Sequence, residues 1–156
     1  MQQPPGPIGL YDPRNEHDSC GVSFVAHLKG VSSNEIVRIG LKALTNMEHR
    51  GATGAEPDSG DGAGILLQVP DAFLRSVVDF ELPAAGAYAA GIAFLPADAV
   101  ACEKAIAAVE TTVGEVGLRV LGWRDLPINP DCLGRTARAA MPTFKQLFVS
   151  DPAGAT

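Results

Sequence analysis

The chain is punctuated by 17 glycines and 12 prolines in 156 residues. That density of breakers sets what it can fold into. Proline locks φ and removes a backbone donor, and glycine costs conformational entropy inside any regular element. A plain helical bundle is therefore excluded, and short elements joined by many turns are required. The hydrophobic fraction is 46% against 19% charged. That is enough apolar surface for a packed core and too much for wholesale disorder.

The breakers also divide the chain. Pro4, Pro5, Pro7 and Pro13 forbid a regular helix in residues 1–19, and residues 14–19 are polar throughout. This stretch reads as an extended leader. It has neither the basic start nor the apolar core of a secretory signal. At Cys20 the character changes. Residues 21–28, GVSFVAHL, are strand-like and stop at Lys29-Gly30. Ser32 with Glu35 three residues on predicts a capped helix. Its apolar face is Ile36, Gly40, Leu44 and Met47, joined by Val37 and Leu41, and it ends near residues 48–51.

Residues 51–62, GATGAEPDSGDG, form an acidic, glycine-dense loop. A second strand is predicted at 63–69. A short helix capped by Asp71 follows, then a turn at 83–86, a strand at 88–95 and a helix from an Asp98 cap to about Glu115. Further strands are predicted at 118–123 and 146–149, with a short helix at 136–140 between them. Strands and helices alternate without a strict parallel-sheet rhythm, which gives α/β or α+β. The register of the Ala-rich stretch 83–125 is weakly specified.

Charge and cysteine usage narrow the setting. The formal net charge of −6 argues against nucleic acid or an anionic membrane surface as a partner. The longest apolar runs, 63–67 and 88–95, fall far short of the about 20 residues that span a bilayer. Cys20, Cys102 and Cys132 are far apart and form no CxxC pair. A reduced, cytoplasmic setting fits that pattern.

Three places carry residues suited to chemistry. Cys20 stands where a polar leader meets an apolar strand. If the leader is removed, its own α-amine, with a pKa of about 7.7–8.0, becomes a base beside the thiol. The alternative is a small apolar residue opening a strand. Arg50 closes the predicted helix beside Gly51. Its planar guanidinium suits a carboxylate or can lock a catalytic loop; the alternative is a solvated cation at a helix C-terminus. His49 reads as a helix-end residue. The loop around Gly60-Asp61-Gly62 matches no phosphate-binding pattern, and Asp58 and Asp61 would repel a phosphate. It reads as a tight turn allowing close backbone approach. His17, His27, Asp58 and Asp61 show no metal-ligand spacing. Tyr88 and Trp123 read as core residues, Cys102 as a packing residue of the long helix, and Cys132 as an exposed bystander.

In combination these residues say more. The order GLYDPRNEHDSCGVSFVAHLKG, a helix, then MEHRGATGAEPDSGDGAGILLQVP closely resembles one family. It is the class II glutamine amidotransferases of the N-terminal-nucleophile hydrolase type, as found at the start of bacterial glutamate synthase large subunits. The resemblance runs nearly from residue 9 to 149 and includes LGWRDLPINPDCLGRTARAAMPTFKQLFV. It implies an α+β fold, the N-terminal portion of a four-layer αββα sandwich. Residues 1–19 match a propeptide-like leader, and 20–156 match part of the glutaminase domain.

By the same resemblance Cys20 matches the catalytic nucleophile and Arg50 an active-site arginine in the substrate pocket. Gly51 and the 58–64 loop match an adjoining shaping segment. Glutamine is the implied substrate, and no metal is implied in this chain. FMN, an iron–sulfur cluster and NAD(P)H or ferredoxin as electron source are implied for other synthase domains or a small electron-supplying subunit. The family's Asn-Gly oxyanion hole and its Arg and Asp substrate contacts have no counterpart in HNGE-like or RFSTNT-like segments here. The expectation is a partial domain, inactive alone, with open sheet edges. Two rival readings are a stand-alone small cysteine amidohydrolase of this fold and a non-catalytic assembly or regulatory module.

Overall fold

The computed structural model describes residues 21–48 and 62–153, together with residues 9, 56 and 60. The chain divides into two units, Met1–Ile65 and Leu66–Thr156.

In the first unit the apolar pattern makes one helix, α1, Asn34–Asn46. Ile36, Val37, Gly40, Ala43, Leu44 and Met47 are its half-buried positions, as the 3.6-residue period requires. Leu41, expected on that face, is 49% exposed instead. Gly40 is where the face is tightest, because a Cβ there would lie 3.0 Å from Ile65 Cδ1. The N-cap is Ser33 rather than Ser32, and its side chain makes no capping hydrogen bond. The predicted capping box therefore does not form. The backbone N–H of Met47 closes the helix on Ala43 and Leu44 carbonyls at 3.1 and 3.0 Å.

Two predicted strands are not strands. Residues 21–28 and 63–69 belong to no β-ladder, and Val22, Phe24, Leu28 and Leu66 are exposed. Strand propensity needs a neighbouring chain to satisfy its backbone groups, and an unpaired strand is not stable. The stop at Lys29-Gly30 is a turn. Gly30, at φ 66°, donates its N–H to the His27 carbonyl at 2.9 Å. Nδ1 of His27 accepts from the N–H groups of Lys29 and Val31 at 3.3 and 3.2 Å.

The second unit is a small antiparallel sheet with helices. Its elements are α2 (Asp71–Val77), β1 (Ala89–Leu95), α3 (Ala99–Glu115), β2 (Arg119–Asp125), a 3-10 turn (Pro130–Cys132), α4 (Arg135–Ala139) and β3 (Thr143–Ser150). Asp71 is the first residue of α2, and Pro70 occupies the cap position assigned to Asp71 from sequence. Sheet order is β1-β3-β2, with β3 antiparallel to both neighbours. β1 and β2 thus run the same way, joined by α3, and the last strand inserts between them as in a split β-α-β unit.

The register follows from side-chain volume. Phe148, fully buried, pairs with Ala90 on one side and Gly122 on the other. The small neighbours leave room for Phe80, whose ring meets Phe148 edge-on at 5.3 Å. Leu74, Leu82 and Tyr88 complete the buried cluster, with Val78, Ala90 and Leu121 at its margin. Leu121 is the extra residue of an irregularity between Val120 and Gly122. On the opposite face α3 contacts β1 and β2. Trp123, one residue on from Gly122, is half-buried and donates Nε1–H to Glu110 Oε1 of α3 at 2.9 Å. It bridges helix and sheet rather than filling the core. The long helix starts as its sequence predicts, with Asp98 Oδ1 accepting from the Ala101 N–H at 2.8 Å.

Candidate functional site

The three residues singled out for chemistry, Cys20, Arg50 and Gly51, lie outside the described residues, as do most of the leader and of the 51–62 loop. The described chain frames them in sequence. Residues 21–28 follow Cys20, and α1 with its Met47 cap precedes Arg50 and Gly51. The described part of the glycine loop alters one expectation. A Cβ at Gly62 or Gly64 would meet nothing within 4 Å, and neither residue takes a positive φ. Among the described residues no close backbone approach depends on these two glycines.

The other two cysteines are poor substitutes for Cys20. Cys102 is buried within α3, as its apolar neighbours predict. Cys132 is exposed in the 3-10 turn and donates Sγ–H to the Asn129 carbonyl at 3.1 Å. A carbonyl is no base for a nucleophilic thiol, which needs a proton acceptor or a nearby cation to favour thiolate. Cys132 is the exposed bystander expected from sequence.

A cavity of about 380 Å³ is lined by residues 76–79 and 123–125. Its hydroxyl, Ser76 Oγ, donates to the Phe73 carbonyl at 2.7 Å, and its Asp125 is paired with Lys145 at 2.5 Å. No nucleophile there is paired with a base. Among the described residues no group of three His, Cys, Asp or Glu side chains could hold a metal ion. No described helix is long and apolar enough to cross a membrane.

Among the described residues a connected electrostatic cluster was missed by sequence reasoning. Asp71 accepts from Arg75 Nε at 3.0 Å and from the Tyr88 hydroxyl at 2.9 Å. Arg75 also donates to the Leu82 carbonyl at 2.7 Å and to the Pro83 carbonyl. The hydrogen bond from Arg75 holds the Asp71 carboxyl below its ordinary value of 3.8, assisted by that from Tyr88. Burial, with the Asp71 carboxylate second, pushes the Tyr88 phenol above its ordinary 10.0. The Arg75 guanidinium is held protonated by the same carboxylate. These groups bind one another, so the cluster ties α2 to residues 82–88. The i,i+4 spacing of Asp71 and Arg75 was the available signal for half of it.

Residues 20–156 match the family model for class-II glutamine amidotransferases, and the chain belongs to that family. Its relatives narrow the class. The chain is 40% identical over 148 residues to the glutamate synthase [NADPH] large chain of Bacillus subtilis, covering 94% of this chain and 10% of that protein. It is 41% identical over 140 residues to the glutamate synthase [NADH] of Schizosaccharomyces pombe, covering 88% and 7%. Ferredoxin-dependent glutamate synthase 2 of Synechocystis is 41% identical over 142 residues, covering 89% and 9%. The chain thus spans a tenth or less of the length of these relatives. Relatives named for three electron donors are equally similar to it, so this region does not discriminate between donors.

Proposed function

We propose that the chain is the glutamine-hydrolysing region of a glutamate synthase, with Cys20 as nucleophile. The observation that carries this reading is where the family match begins. It starts at Cys20 and leaves out residues 1–19, the boundary at which the sequence changes from polar leader to apolar run. Removal of the leader makes the Cys20 amine the N-terminus. With a pKa of about 7.7–8.0 it can accept the proton of a thiol whose ordinary pKa is about 8.5.

The thiolate attacks the side-chain amide carbon of glutamine. The carbon–nitrogen bond breaks, the nitrogen takes a proton and leaves as ammonia, and a γ-glutamyl thioester remains. Water then attacks the thioester, releasing glutamate and restoring the thiol. Arg50 binds substrate at the pocket as a planar donor, and Gly51 with the adjoining loop shapes its wall. The split β-α-β sheet of the second unit is part of a larger αββα sandwich.

The relatives' names, glutamate synthases of the NADPH, NADH or ferredoxin type and one of them a large chain, support further synthase parts beyond this region. Those domains, with a small electron-supplying subunit in some members, use the ammonia to form glutamate from 2-oxoglutarate; the cysteine pattern favours a reduced, cytoplasmic setting. FMN and an iron–sulfur cluster belong to those parts. Clusters are held mostly by four cysteine thiolates. This chain has three cysteines, of which Cys102 is buried in a helix and Cys132 is exposed in a turn. These residues do not fit a cluster, and no step of the glutaminase reaction is routed through one.

Ammonia release from glutamine by the protein purified from its own cells tests the reading, with Cys20→Ala alongside. Loss of release to the uncatalysed background, with folding retained, supports it. Undiminished release by Cys20→Ala overturns it.

A further inference from the structure

We draw no further inference here: the strongest candidate, the open end of the sheet face carrying Ile92 and Phe94, which are 55% and 72% exposed, is an unpartnered apolar surface, and nothing in the structure shows what covers it.

Discussion

The Tyr88 hydroxyl donates to Oδ1 of Asp71 across 2.9 Å, 17 residues back along the chain. This bond joins the start of α2 to the residue preceding β1. Tyr88 also packs on Phe148 with ring centroids 6.3 Å apart, so its ring serves the core while its hydroxyl serves the ion pair. Tyr88→Phe keeps the ring and removes one of the two contacts to Oδ1, which still faces Arg75 Nη2 at 2.9 Å. The expected loss is about 1 kcal/mol in urea unfolding, the usual net worth of one hydrogen bond.

The same cluster sets a pH window. The folded Asp71 carboxyl lies below its ordinary 3.8, so its contribution is present above that value. It is lost as pH falls through the lowered folded value. The folded Tyr88 phenol lies above its ordinary 10.0. Its contribution is present below 10.0 and lost as pH rises through the raised folded value. The cluster's contribution to stability should therefore be constant between these limits and fall on both sides. Asp71→Asn should shrink the acid limb in a pH series of thermal melts. An unchanged acid limb would show that other carboxylates carry it.

Helix starts provide a paired comparison. Asp98 caps α3 through a bond to Ala101 N–H at 2.8 Å, whereas Ser33 caps α1 without a side-chain bond. Asp98→Ala should cost about 1 kcal/mol in chemical denaturation. Ser33→Ala should cost no more than a few tenths, because no bond is removed.

Gly122 is constrained by volume. A Cβ there would lie 2.5–2.8 Å from three carbons of the Phe80 ring. Gly122→Ala should destabilise the protein by about 1–3 kcal/mol through overpacking. Combining it with Phe80→Leu should cost less than the sum of the single changes, since both act on one contact. Additive losses in the double-mutant cycle would contradict the contact.

Thiol labelling separates the two described cysteines. Exposed Cys132 should react rapidly with a thiol reagent in the native protein, and buried Cys102 only on unfolding. Peptide mapping after timed alkylation reads both rates.

Legibility in the sequence followed how local each determinant is. The Asp98 cap, the stripe Ile36, Gly40, Leu44 and Met47 and the β1 strand depend on near neighbours, and each formed as predicted. Strand β3 also formed, and runs longer at both ends than the predicted 146–149. The 21–28 and 63–69 runs carry equally good strand composition, yet strands are made by partners and these have none among the described residues. The Phe148–Gly122 pairing and the Tyr88–Asp71 bond link residues far apart in sequence, and no local pattern announces them. For the proposed site, the junction at Cys20 is marked in the sequence by a change of composition. Arg50 and Gly51 gained meaning only from the order of motifs around them.

The nucleophile assignment is tested most directly by peptide mass mapping of the protein purified from its own cells. It is first exposed to a diazo-ketone analogue of glutamine, with Cys132→Ser removing the exposed thiol as background. The account predicts a mature N-terminus at Cys20 and a single adduct on that residue. Residues 1–19 still attached, with glutamine hydrolysis intact and no adduct on Cys20, would contradict it.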